Sequence, residues 1–180
     1  MVKDLLGDDV QENDEVEAYL AEMDADTLSA RASNLSYVMS IAPDAGFAMP
    51  HESFLVLTEA RDAFVSGLYV ATLMLAQAFI EHRLQILMDE LGEHSVAKKG
   101  ISAILKRLLV LRPQHAFILN RVDQMRAFRN PFTHLKPFDH PYTIGQISLA
   151  KRVDPREILF RNARDSLSIM YTVAVIEWHR

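Results

Sequence analysis

The 180-residue chain has no cysteine, so it can form neither a disulfide framework nor a thiolate metal site. Its start, MVKDLLGDDV, lacks the pattern of a secretory signal, and a cytoplasmic location is the expectation. Internal repeats are missing, as is low-complexity sequence beyond an acidic beginning. β patterning is nearly absent: only Tyr142 to Leu149 suggests a strand. A chain of this length is expected to bury one core and carry at most a tail.

Charge is missing from one long stretch. Ala63 to Ile80, AFVSGLYVATLMLAQAFI, runs uncharged between Asp62 and Glu81, near the lower length limit for crossing a bilayer. Ser66, Gly67 and Gln77 dilute its hydrophobicity, and charges sit directly at both ends without an aromatic belt. The stretch reads as a buried helix, and no membrane association is expected.

Acidic residues are almost missing from a second stretch. Residues 95–138 carry nine Lys and Arg side chains against Asp123 alone, a net of +8. Residues 1–30 are the reverse, with ten acids against Lys3, a net of −9 that leaves +4 for the rest of a chain whose total is −5. A positive body with an acidic tail suggests a polyanion site with a built-in competitor; the plainer alternative is a solvated face and an unstructured acidic terminus.

Nearly everything else is helix-forming. Asp26-Thr27 can cap a short helix toward Met39, and Pro43-Asp-Ala-Gly46 with Met49-Pro50 reads as a linker. Glu52 to Leu91 reads as one long helix with Gly67 its weak point and Gly92 its stop. Ile101 to Leu111 forms an amphipathic helix, and Gln114 to about Asn130 the next, with Pro113 between. Asp154, Pro155 and Glu157 give the clearest helix start in the chain, and the periodicity that follows runs to Trp178. The expected architecture is all-α: an up-and-down four-helix bundle over residues 46–180, preceded by an acidic helical extension over residues 1–45.

The segment Arg126-Ala-Phe-Arg-Asn-Pro-Phe-Thr-His-Leu135 joins this fold to chemistry. Pro131 predicts a helix end at or just before Asn130. Cations there suit the helix dipole, which gives Arg126 and Arg129 a structural role. Arg129, however, continues the inward stripe of Ile118, Val122 and Met125 at intervals of three and four. An inward guanidinium needs an anion, either Glu81 within the chain or a bound phosphodiester. His134, Asp139 and His140 do not share the spacing of a helical metal pair, so neither a metal nor a cofactor is expected.

Arg129, Asn130 and His134 resemble the HEPN superfamily of helical bundles, whose ribonuclease members carry Arg, four to six residues, then His, with a polar residue beside the Arg. GLYVATLMLAQAFIEHRLQ is similar to that family's early helix, in which an acidic residue, here Glu81, follows an Ala-rich apolar run. The resemblance covers about residues 51–180 and departs from the pattern at Pro131. It implies a metal-independent endoribonuclease with Arg129 and His134 catalytic, Asn130 and Glu81 supporting, and a homodimer that brings two motifs together. It also implies two alternatives: a module that no longer cuts and serves as a dimeric nucleic-acid-binding or interaction protein, and the toxin of a toxin–antitoxin or phage-defence pair with an antitoxin protein as partner. Under the ribonuclease reading Arg126, Lys98, Lys99, Lys106 and Arg107 guide the RNA backbone, and the acidic tail occludes that groove in the free dimer.

Overall fold

The uncharged stretch after Asp62 decides the architecture, though not as one helix. In the computed structural model, which describes residues 14–44 and 49–178, the elements run α1 (Asp14–Ile41), α2 (His51–Val65), α3 (Tyr69–Glu90), α4 (His94–Ala97), α5 (Ile101–Leu111), a 3-10 turn (Pro113–His115), α6 (Ala116–Thr133), α7 (Ile144–Lys151) and α8 (Pro155–Val175). The protein is all-helical among the described residues.

The expected single helix from Glu52 to Leu91 is instead a hairpin. Gly67 takes φ +76°, a left-handed conformation that side chains disfavour. Gly67 N–H then donates to Phe64 O and Leu68 N–H to Ala63 O, at 3.0 and 2.8 Å, which closes α2 and reverses the chain. Gly92 (φ +76°) ends α3 in the same way, with Gly92 N–H to Asp89 O at 3.0 Å and Glu93 N–H to Met88 O at 2.9 Å.

The apolar character of α3 reflects its place. It packs chiefly against α2 and α8 and also touches α4, α5 and α6. Leu73, Phe79, Ile80, Leu84 and Met88 are all essentially sealed from solvent. No helix among the described residues is long and apolar enough to cross a membrane. The main core extends through Phe64, Ile104, Leu108, Leu119, Leu167 and Met170, and it includes Val38 from the last turns of α1. Asn34, one turn earlier, is also buried and donates from Nδ2 to the Phe64 carbonyl at 3.0 Å, satisfying a backbone acceptor at the end of α2.

Three further expectations change. The helix expected to begin at an Asp26-Thr27 cap is continuous from Asp14: Thr27 Oγ1 bonds back to Met23 O at 2.9 Å, as an interior helical threonine does. The acids Asp4, Asp8, Asp9 and Glu12 lie outside the described residues, as does Gly46 of the expected linker. In place of a strand at Tyr142–Leu149 there is α7, because Ile144 and Ile147, three apart, both pack on the cluster of Leu73, Phe128 and Ile158. α8 starts as expected, with Asp154 Oδ1 accepting from Arg156 N–H at 2.7 Å, but stops at Val175. Ile176 is extended, and Trp178 turns back to sit buried, its ring 4.9 Å from His115 and its carbonyl 2.7 Å from Arg112 Nε.

The fourth change concerns the segment of interest. α6 does not end before Pro131 but continues to Thr133, with His134 as its extended C-cap. Pro131 removes the bond that would reach the Ala127 carbonyl, yet near a helix end that is a single loss. Phe132 repays the extra turn by packing beside Phe128, ring centroids 5.9 Å apart, on the cluster with Leu73 and Ile158. Pro131→Ala should therefore restore the missing bond and stabilise the protein by about 1 kcal/mol or more, read as a higher urea midpoint at unchanged slope.

Candidate functional site

The site is built where α6 crosses α3. The period of α6 points Ile118, Val122 and Met125 into the core, and Arg129 follows on the same face with only 16% of its side chain exposed. Its planar fork is fully directed. Nε–H donates to Gln77 Oε1 at 2.7 Å, Nη1 to Thr133 Oγ1 at 3.0 Å and Nη2 to Glu81 Oε1 at 3.4 Å. Gln77 in turn donates from Nε2 to the same Glu81 oxygen at 2.6 Å. Gln77 and Glu81 are one turn apart on α3, so both face α6. The result is a closed polar network set into an apolar helix crossing.

Burial pulls the Arg129 guanidinium below its ordinary range; Glu81 opposes that shift, and neighbouring Arg126 adds slightly to it. An arginine has enough margin to remain charged at neutral pH. Of the five N–H groups of a guanidinium, three are engaged here, which leaves two without a bond to a described residue.

Asn130 and His134 complete the helix end. The Asn130 carbonyl accepts from Thr133 Oγ1 at 3.1 Å and from His134 N–H at 2.9 Å, so backbone and side chain together fix the final turn. The His134 ring is exposed and makes no hydrogen bond to a described residue. The following loop holds two large apolar side chains in water: Leu135 is 100% and Phe138 86% exposed.

The residues expected to form the site therefore divide into groups. Arg129 and Glu81 meet directly, while Asn130 and His134 share the end of α6 with Arg129. Arg126 lies one turn back and bonds Asp123 at 2.8 Å. Lys98, Lys99, Lys106 and Arg107 belong to another surface, on α4–α5. Arg107 is tied there to Glu93, with Nε to Oε1 at 3.0 Å, and this bond holds the Glu93 carboxyl below the usual carboxylate range. The three lysines are exposed and form no ion pair with a described residue. Among the described residues no cluster of His, Asp and Glu could hold a metal ion.

Sequence reasoning missed Gln77 and Thr133. Gln77, 1% exposed in the fold, showed in the sequence only as an amide inside an apolar run four residues before Glu81, which does not name Arg129 as its partner. Thr133 carried no signal, because its position depends on the helix continuing past Pro131.

No protein-family model matches the chain, and neither a curated protein nor a solved structure matches it. The geometry above is thus the ground on which a function can be argued.

Proposed function

We propose that this protein is a metal-independent endoribonuclease of HEPN type, acting as a homodimer, with Arg129 and His134 at its reacting centre. One arrangement carries the reading: an oriented, largely buried arginine with two N–H groups to spare lies in the last turns of the helix that an unbonded, exposed histidine caps five residues on. That pair suits a phosphodiester.

Cleavage without a metal uses the substrate's 2′-hydroxyl. A base takes its proton, the oxygen attacks phosphorus, and the bond to the 5′-oxygen breaks as an acid protonates that leaving group. The products are a 2′,3′-cyclic phosphate and a free 5′-hydroxyl. Histidine can serve as either acid or base near neutral pH. One copy of His134 cannot be both within the same step, so two motifs facing each other across a twofold axis supply the pair. Arg129 stabilises the charge on the crowded phosphate, and Gln77 and Glu81 hold its fork before substrate arrives. Asn130 supports the histidine, and the toxin of a toxin–antitoxin or phage-defence pair is the setting such an enzyme fits.

A second reading rests on the same network. Glu81 already pairs the charge of Arg129, and Gln77 and Thr133 hold its fork, as they would in a protein whose motif is structural and whose role is dimeric nucleic-acid or protein binding. The discriminating experiment is incubation of the purified protein with mixed cellular RNA in EDTA. The ribonuclease reading expects cleavage with cyclic phosphate ends and none at a 2′-deoxy position. RNA that is retained but uncut, or ignored, favours the second reading.

A further inference from the structure

α1 runs on beyond its packed part. Its last turns are anchored by Asn34, Tyr37, Val38 and Ile41, but every residue from Val16 to Ala30 is exposed. At about 1.5 Å per residue these fifteen residues project roughly 22 Å. The projecting part is not polar all round. Val16, Leu20, Met23, Thr27 and Ala30 follow one another at intervals of four, three, four and three, and the next step is Asn34. The stripe that packs on the body thus continues in phase beyond it, with no described residue covering it. Val16, Tyr19, Leu20 and Met23 are 55, 62, 55 and 47% exposed. On a helical projection of 100° per residue, Glu17 and Asp24 flank this stripe on one side and Glu22 and Asp26 on the other.

A surface of opposite character lies on α5. Val96, Ala103 and Val110 line a shallow groove of about 350 Å³ whose other walls are Lys99, Lys106 and Arg107. Val110 is 69% exposed. Lys98, exposed and next to Lys99 in the chain, adds to the charge of this region, and Glu93 pairs with Arg107. The groove runs along an eleven-residue helix, roughly 16 Å, which is long enough for the Val16–Met23 face.

We infer that the acidic α1 arm of one copy seats its Val16–Met23 stripe in the basic α4–α5 groove of a second copy. The occupant follows from charge and geometry. Arm against arm would place acids opposite acids on both flanks, whereas arm in groove places them opposite Lys98, Lys99 and Lys106. The arm does not reach the groove of its own chain, since α1 is unbroken and, among the described elements, contacts α2 and α8 but neither α4 nor α5. Exchange is reciprocal in a twofold pair, so each dimer holds two such contacts. The interface stands apart from the Arg129 and His134 site and does not depend on RNA chemistry. It does occupy Lys99, Lys106 and Arg107, so these serve assembly before they serve any polyanion.

The cysteine-free chain permits a direct test without background thiols. Full-length protein carrying both Leu20→Cys and Ala103→Cys should form a disulfide-linked dimer under mild oxidation, since the arm brings the two positions within bonding range in trans. Cross-linking of Leu20→Cys alone would instead show arm pairing with arm. In parallel, sedimentation in the analytical ultracentrifuge should show that Lys99→Glu with Lys106→Glu weakens the dimer about tenfold or more. Mixing that variant with Glu17→Lys, Glu22→Lys protein should restore association. Leu20, Glu17, Glu22, Lys99 and Lys106 are exposed and Ala103 is half-buried beside the groove, where cysteine adds one sulfur, so folding is preserved. A protein that stays monomeric at tens of micromolar, a dimer indifferent to the charge reversals, or a double-cysteine chain that fails to cross-link overturns the inference.

Discussion

His134→Ala and Arg129→Ala should each reduce RNA cleavage by about 10²–10⁴-fold, yet differ in what they do to the fold. His134 is exposed and bonds through its backbone, so its replacement by alanine should leave stability within about 0.5 kcal/mol of the parent. Arg129→Ala strips Gln77 and Glu81 of their shared cation at a mostly buried crossing, and a loss of about 1–3 kcal/mol follows. Arg129→Lys keeps the charge but has no fork to span Gln77, Glu81 and Thr133, and should remain impaired in cleavage. The checks are a cleavage time course in EDTA and urea unfolding of the same preparations. Full activity in both alanine variants would remove Arg129 and His134 from the reaction.

The largest effect on stability is expected from Phe79→Ala, at about 3–5 kcal/mol. Phe79 is fully buried in α3, the helix that packs against α2, α4, α5, α6 and α8, and truncating it leaves a hole the surrounding helices can close only in part. For a domain of this size the midpoint of thermal unfolding should drop by on the order of 10 °C. Phe138→Ala is the matched control. Its ring is 86% exposed, and removing it should leave the midpoint within about 1 °C by calorimetry. The two phenylalanines differ only in what surrounds them.

That contrast marks how far the sequence could be read. Local signals held where the physics is local: Asp154 caps α8 because its carboxylate need only reach two residues ahead, and Gly92 ends α3 because only a residue free at positive φ closes that turn. The inward direction of Arg129 was legible as well, since helical periodicity fixes the face before any neighbour is known. The partner Glu81 could be named from charge alone. Gln77 could not, because what makes it a partner is the angle at which α3 meets α6.

Where local and tertiary preferences disagreed, packing won. Pro131 argues for a helix end, but Phe132 gains more from joining Phe128, Leu73 and Ile158 than the chain loses in one hydrogen bond. Gly67 was read as a weak point inside a helix, yet the turn there lets α2 fold back on α3, which α8 also covers. α7 forms although its segment resembles a strand, because Ile144 and Ile147 must reach one cluster together.

By itself, then, the sequence determined that this protein is helical, which residues line the inner faces, and that an acidic beginning accompanies a basic middle. These follow from composition and period, which depend on neighbours along the chain. The tertiary structure alone decided that Gln77 and Thr133 complete the arginine network, that the basic residues split into two surfaces, and that the apolar stripe of α1 runs on past the body. Each of those depends on the distance between helices far apart in sequence, and that distance is set by how the side chains between them pack.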